Sequence, residues 1–569
     1  MYQKYTVKIP DLQTGITRKT IKGTTYVYYT YGRTYISEKK YSQGKDTSIG
    51  KVDPGDDTMM YPNANFIRFF PDSVPEKVKP PERSGCLRIG TFVVVRKILQ
   101  EYKLDQTIDA LIGRDSGLFL DLAAYTLVTE GNVAQYYPEY AFNHPLFTEG
   151  MHVYSDSKVC DFLKGITPDQ IIVFQNTWNE KQDHREKIYI SYDSTNKNCQ
   201  AGDLECVEFG HPKQDNGKPV FNYSVAYNNT NSVPLFYEEY PGSITDVSQL
   251  QIMLEKAKGY GYHEVGFILD RGYFSRENIR YMDKNGFDFI IMMKGMKTLV
   301  HEIVTANKGK FEDDYSQNIR GYKVYGMTVH QKLFPSDEKD RYFHIYYSDS
   351  KKASEKSELT GKIARLAKYF GKHQNQAIHF DRALEHYFDL IYWHEGQKDE
   401  KFMYAREKTD VINKEISFCG YFVIITSSEM TASKALELYK NRDVSEKLFR
   451  ADKSFLGNRT MRAHMNETED ARIFVEFVAL IVRNRIYHQL TLQEEKNDKK
   501  ENYMTVPAAI RELEKIEIIQ QADHRYRLNY AVTATQKEIL KAFGINEVNI
   551  KKWANEISDK LSEKMKEAV

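Results

Sequence analysis

The chain has 569 residues, 41% of them hydrophobic and 28% charged, with 80 basic side chains against 79 acidic ones and a formal net charge of +1. That balance excludes a disordered or collagen-like chain and gives no global preference for a polyanion, while the length suggests roughly three to five domains or subdomains. The five cysteines, Cys86, Cys160, Cys199, Cys206 and Cys419, form no C-x-x-C pair, which argues against a zinc ribbon or disulfide scaffold and fits a reducing compartment.

The opening MYQKYTVKIPDLQTG lacks the apolar core of a leader peptide, and no apolar run approaches the ~18 residues of a membrane span, so a cytoplasmic location is expected. Residues 1–65 contain TTYVYYTYGRTYISEKKYSQGKDTSIGKV, aromatic and β-branched stretches broken by Gly-containing turns, which reads as a β-meander. With ten Lys/Arg against six Asp/Glu over residues 1–60, it is either a DNA-contacting ribbon or a solvated β-subdomain packed on its neighbour. Residues 66–182 turn to helical periodicity, in RIGTFVVVRKILQEYKL and SGLFLDLAAYTLVTEG, and are expected to form a helical subdomain.

From residue 183 to 295 the pattern is strand, strand, strand, helix, strand, helix, strand. EKIYISYD is a strand ending at Asp193; KPVFNYSVAYN and SVPLFYEEYPG complete a meander. A helix over Val247–Lys258 follows, with Thr245 or Asp246 as its N-cap and Gly259 past its end. EVGFILD is apolar throughout, as a strand buried on both faces requires, and ends at Asp270. Ser275 caps the next helix, and DFIIMMKG is a second buried strand.

Residues 296–415, with YKVYGMTVHQKL, RYFHIYYSDS and the charged helix SELTGKIARLAKYFGK, read as an inserted β-rich subdomain. The core resumes over 416–490 with CGYFVIITS and a helix from Thr431, and 491–569 is a tail domain beyond the charged linker QEEKNDKKEN. The expected fold is α/β: a ribonuclease-H-like mixed sheet flanked by helices, interrupted by the insert, with N-terminal β/helical and C-terminal helical accessory domains.

The stretch YKNRDVSEKLFRADK, residues 439–453, carries an unusual stripe. On an unbroken helix Tyr439, Arg442, Glu446 and Lys453 fall within an arc of about 60°. A core face or a water face suits that mixture poorly. One reading is a solvated face with an Arg442–Glu446 pair, worth only a few tenths of a kcal/mol.

The other reading joins Glu446 to Asp193 and Asp270, two acids at strand ends where ligands collect. Three converging carboxylates stay ionised together only with cations, and hard oxygen ligands select Mg²⁺, with Mn²⁺ an expected substitute. Two ions ~4 Å apart activate a water or hydroxyl and stabilise the leaving oxygen in an in-line attack on phosphorus. Tyr439, Arg442 and Lys453 then line up to bind phosphates beside the scissile one.

The pattern Y-x2-R-x3-E-x6-K at Tyr439, Arg442, Glu446 and Lys453 resembles the signature of bacterial cut-and-paste DDE transposases of the insertion-sequence-four type. DSTN at Asp193, PGSITD at 241–246 and DRGYFS at 270–275 belong to the same likeness, and the order and insert length look most like the large sixteen-thirty-four branch. Relatives often carry Asn where this chain has Ser243. The resemblance implies a metal-binding catalytic triad of Asp193, Asp270 and Glu446, and DNA contacts from Tyr439, Arg442 and Lys453. It further implies a homodimer that synapses two terminal inverted repeats, a hairpin intermediate, strand transfer into target DNA, and a nucleoid-associated bacterial location. A family tryptophan in the insert stacks on a flipped base; Trp393 is the one tryptophan there, without a secure alignment.

Two rival functions are a repurposed DNA-binding protein without catalysis and a metal-dependent DNA nuclease. An intact acid triad weighs against the first, and the full Tyr-Arg-Glu-Lys stripe weighs against the second. KGYGYHEVG precedes a strand and is no phosphate loop, and neither His263 nor His394 shows ligand spacing.

Overall fold

Alternating aromatic and β-branched residues build the first unit, Met1–Glu82, as an antiparallel sheet. The computed structural model describes residues 2–567 except 4, 13, 37–39, 71–72, 74–82, 185–186, 200–203, 210–218, 245, 270–272, 294–296, 395, 397–399, 443–459, 462–464 and 498–500. Strands β1 (Val7–Lys8), β2 (Ile16–Ile21), β3 (Thr24–Ile36), β4 (Tyr41–Asp53) and β5 (Asp56–Pro62) lie in the order β1-β5-β4-β3-β2. Lys22 and Gly23, both at positive φ (50° and 78°), make the two-residue turn between β2 and β3. Helix α1 (Ala64–Phe69), capped by Asn63, closes a small core of Val7, Ile9, Val27, Ile49, Met60 and Phe66.

The second unit, Arg83–Val569, opens with β6 (Cys86–Arg88) and the helices α2 (Gly90–Glu101), α3 (Leu104–Ile112), α4 (Ser116–Thr129), α5 (Tyr137–Asn143), α6 (Asp156–Lys164) and α7 (Pro168–Glu180). β6 pairs antiparallel with Glu517–Gln520, which in turn pairs with Tyr526–Leu528. The tail is thereby built into the start of this unit, and Tyr526 donates its hydroxyl hydrogen to the Ser84 carbonyl at 2.8 Å.

The central sheet begins with β7 (Ile188–Cys199), β8 (Val220–Asn228) and β9 (Val233–Pro241), an antiparallel meander. Helix α8 (Asp246–Gly259) leads to β10 (Val265–Leu269), and α9 (Arg276–Lys284), capped by Ser275, leads to β11 (Asp288–Met292). β10 is parallel to both β7 and β11, and all five of its residues are buried, as its apolar sequence predicts.

Beyond α10 (Lys297–Asn307) the structure departs from the expected insert. β12 (Asn318–Ile319), β13 (Val324–Lys332) and β14 (Asp340–Tyr347) extend the central sheet, and β14 runs antiparallel to β17 (Tyr421–Thr426), which pairs with β11. The order is β12-β13-β14-β17-β11-β10-β7-β8-β9, with β18 (Thr460–Met461) on β7. The buried side chains Phe343, Ile345, Val423 and Ile425 explain why these strands belong to the main core. A satellite core of Ile363, Phe370, Phe380, Phe388, Phe402 and Ile412 gathers α11 (Asp349–Lys372), the hairpin β15 (Phe388–Trp393) and β16 (Lys401–Glu407), and α12 (Thr409–Phe418).

The long helix Asn466–Asn497 is buried along most of its length. Its Phe474 ring lies 4.7 Å from Phe119 of α4 and 4.8 Å from Phe174 of α7, while Phe477 meets Tyr237 of β9 at 4.9 Å. The start of the predicted linker, residues 493–497, is the last turn of this helix. No helix among the described residues is long and apolar enough to cross a membrane.

Candidate active site

The parallel ladder between β7 and β10 pairs Val265 with Ile188 and ends with Leu269 opposite Tyr192. In sequence the next residue after Tyr192 is Asp193, and the next after Leu269 is Asp270. Asp193 is a strand residue, opposite Val225 of β8, and β7 runs on to Cys199. The expected strand end at Asp193 is therefore corrected: the end belongs to the ladder with β10, and pairing with β8 carries the strand through the polar DSTNKN.

On the side of β7 facing β10, the described ladders are with β10 as far as Tyr192 and with β18 from Asn198. The interval 193–197 between them carries DSTN and Lys197. The segments that follow β10 and precede β18 in sequence are 270–272 and 443–459. Asp270, Glu446 and Lys453 fall in these and lie outside the described residues.

The interval 193–197 is fixed from the β8 side. Asn222 of β8 donates through Nδ2 to the carbonyls of Pro241 and Ile244, at 2.9 and 3.0 Å, and accepts from Asn196 at 2.5 Å. The DSTN and PGSITD motifs are thus joined through one amide side chain. At Gly242 a Cβ would come within 2.2 Å of the Val220 carbonyl oxygen, so glycine alone fits that approach. Ser243, the departure from the family pattern, is exposed.

Behind β7, Lys197 and Glu476 of the long helix form a 2.8 Å ion pair with side chains 0% and 1% exposed. Asn132 donates to the other Glu476 oxygen at 2.8 Å, and the Lys197 ammonium sits 4.2 Å from the centre of the Tyr223 ring. Sequence reasoning missed this group, because Lys197 lies beyond the point where the strand was expected to end. It also missed three acids nearby: burial and the adjacent Asp470 hold Glu239 well above the ordinary carboxylate range, and the same two causes push Glu469 up to about 7. The signal was the acidic run NETED at 466–470, of which the helix buries Thr468 and Glu469.

Helix α13 (Ala432–Asn441) starts at Thr431, whose hydroxyl accepts from the Lys434 N–H. Tyr439 is buried and shares an apolar cluster with Ile268 of β10, Ile290 of β11 and Leu436. Arg442 is the C-cap of α13; it is 9% exposed, and its guanidinium lies 5.3 Å from the Tyr439 ring centre. The solvated-face reading fails at Arg442, because the side chain is enclosed by the core side of the helix. The structure brings Tyr439 and Arg442 together; the continuation of the stripe to Glu446 and Lys453 is outside the described residues.

Among the described residues, no three His, Cys, Asp or Glu side chains are grouped to hold a metal ion. The donor chemistry of the proposed triad, three carboxylates, fits a hard divalent cation. Trp393, at the end of β15, is 49% exposed and stacks on His394 at 3.9 Å.

A family model described as "Transposase DDE domain" matches residues 189–482, just over half of the chain. The chain belongs to the DDE transposase family. The matched region of this transposase starts in β7, takes in residues 193–197 and α13, and ends within the long helix. Family membership assigns the domain to DNA transposition, a chemistry that DDE transposases generally perform with divalent metal ions. Among solved structures similar to the transposase is a cryo-EM structure of the piggyBac transposase synaptic complex with hairpin DNA, at 8% identity and a TM-score of 0.31, covering 72% of this chain and 68% of that one. No curated protein matches the sequence significantly.

Proposed function

We propose that this chain is a cut-and-paste transposase of the insertion-sequence-four type, on its sixteen-thirty-four branch, with Asp193, Asp270 and Glu446 as the triad that holds Mg²⁺. The observation that carries the reading is the register of β7 and β10, whose last pair, Tyr192 and Leu269, precedes two aspartates. The run β9-β8-β7-β10-β11, a meander followed by two parallel strands, supports a ribonuclease-H-like core. We read residues 183–295 and 416–490 as its two parts, β12–β14 as an extension of the same sheet, the remainder of 296–415 as the inserted part, and 1–65, 66–182 and 491–569 as accessory regions.

Mg²⁺, or Mn²⁺ in its place, would supply Lewis-acid stabilisation of the scissile phosphate and a water or hydroxyl of lowered pKa. Asp193, Asp270 and Glu446 fix where that charge sits, and Tyr439, Arg442 and Lys453 bind the flanking phosphates so that the attack is in line. Water attacks phosphorus at each end of the element, the P–O3′ bond breaks, and the transposon strand keeps a 3′-hydroxyl. That hydroxyl attacks the opposite strand, expelling the flank's O3′ and closing a hairpin; a second water reopens it, and the freed 3′-hydroxyl attacks a target phosphate, breaking its P–O3′ bond and leaving a 3′-hydroxyl on the target strand. A homodimer holding two inverted repeats lets both ends react together.

The test is incubation of labelled DNA carrying the native flanks of the coding region with Mg²⁺ or Mn²⁺, using wild type and Glu446→Gln. Metal-dependent cuts at both ends, with a hairpin on a denaturing gel and neither in the variant, are expected. Specific binding of those ends by a folded wild type that never cuts would establish the non-catalytic alternative, and cutting without joining would establish a nuclease.

A further inference from the structure

The outer half of the β3–β4 hairpin stands apart from the rest of its sheet. β2 pairs with β3 only from Thr24 to Tyr29, and β5 pairs with β4 only from Gly50 to Asp53. Thr30 still donates its backbone N–H to the Gly15 carbonyl at 2.8 Å. From Tyr31 to Ile36 and back from Tyr41 to Lys45, among the described residues, β3 and β4 pair only with each other. Six extended residues reach about 20 Å beyond the part that β2 covers. A two-stranded ribbon of this kind is marginal in water without a surface to cover one face.

Its composition says what that surface is. Among the described residues of the ribbon and its tip, Arg33, Lys40 and Lys45 face one acid, Asp46, whose carboxylate is already engaged by the Thr30 hydroxyl at 2.7 Å and by Lys19 at 3.8 Å. Asp53, Asp56 and Asp57 gather at the opposite end of β4 and β5, so charge is segregated along the sheet. The register pairs Arg33 with Gly44 and Tyr35 with Ser42, which puts Arg33 and Tyr35 on one face beside two small residues. Tyr35 is 64% exposed and Tyr41 48% exposed, aromatic area that no core uses. The extra residue at Tyr31, where the register shifts between Thr30 and Gly32, increases the local twist and turns this outer segment.

We propose that the β3–β4 ribbon is a duplex-DNA binding element that lies in a groove, with Arg33, Lys40 and Lys45 on phosphates and Tyr35 against the groove floor. The major groove, about 12 Å wide, admits a two-stranded ribbon, and small cross-strand neighbours let Arg33 and Tyr35 reach inward. The inference rests on the transposase reading and adds which element grips the DNA.

The test uses the full-length protein and two fluorescent duplexes of equal length, one from the native flank of the coding region and one of scrambled sequence. Arg33→Ser/Lys40→Ser/Lys45→Ser should bind the native duplex at least about tenfold more weakly, with the slope of log affinity against log salt reduced by about 2 to 3. Tyr35→Ser should keep the slope and lower the preference for native over scrambled duplex. Both variants alter exposed positions, and an unchanged circular dichroism melt confirms that they fold. Unchanged affinity and slope in the triple variant, while wild type binds, would overturn the ribbon assignment and leave the transposase reading standing. A triple variant that keeps its DNA affinity but loses self-association would make the ribbon a contact between copies, and wild type that binds neither duplex would overturn the proposal and the reading beneath it.

Discussion

Leu269 lies opposite Tyr192 at the last rung of the parallel ladder between β10 and β7, and each is followed in sequence by an aspartate. β10 ends at that rung, whereas β7 runs on to Cys199. The register is what supports the proposed pairing of Asp193 with Asp270.

Replacing either acid tests whether it holds metal. Asp193→Asn and Asp270→Asn should each lower end cleavage by at least about a hundredfold, with unchanged binding of the ends. Asp193→Cys should be inactive with Mg²⁺ and recover part of its activity with Mn²⁺, which tolerates a softer ligand. Full activity of any of these variants with Mg²⁺ would remove that acid from the triad.

The buried Lys197–Glu476 pair makes a stability prediction. Lys197→Met leaves Glu476 charged and enclosed, at a cost of about 3–5 kcal/mol, read as a fall in the urea midpoint. Lys197→Met/Glu476→Leu should recover most of that loss, because no unpaired charge remains. A single variant as stable as wild type would mean that water reaches Glu476.

His344 sets an acid limb. It is fully buried between the hydroxyls of Thr328 and Thr426, at 2.9 and 3.0 Å, and burial lowers its pKa to about 4. As pH falls below the ordinary 6.5, the unfolded chain binds this proton first. The site's contribution is therefore full above about 6.5 and declines toward pH 4; His344→Gln should flatten that decline in denaturation curves measured across the range.

Asp121 has the opposite sign. Its carboxylate accepts from the backbone N–H groups of Phe147 and Thr148 and from the Thr148 hydroxyl, yet burial pushes its pKa up to about 7. The folded chain keeps a proton that the unfolded chain releases, so its contribution is full below about 4 and lost as pH rises through about 7. Asp121→Asn should remove this slope, while Asp121→Ala, which strands buried donors, should cost at least about 2 kcal/mol.

Local chemistry was legible in the sequence. Ser275 caps the helix it was expected to cap, the helix expected from Thr431 begins there, and the apolar run VGFIL is a fully buried strand. Pairing across long separations was not: β14 joins β17 some seventy residues later, and nothing in RYFHIYY distinguishes a main-sheet strand from one in an insert. The continuation of β7 through the polar DSTNKN was not legible either, because the burial of Lys197 depends on Glu476, which neutralises it from a helix nearly three hundred residues away. The Tyr-Arg-Glu-Lys spacing was visible, but the burial of Tyr439 depends on a cluster drawn from β10, β11 and β17, which spacing alone does not contain.

Mapping the metal site by iron-generated radicals tests the central claim most directly. Fe²⁺ replaces Mg²⁺ in the full-length protein bound to duplex DNA, and ascorbate with peroxide then releases hydroxyl radicals that cut the nearest backbone. The account predicts cuts clustered around Asp193, Asp270 and Glu446 together, suppressed by excess Mg²⁺ and absent in Asp193→Asn. Cuts centred instead on Glu239 and Glu469, unaffected by Asp193→Asn, would contradict it.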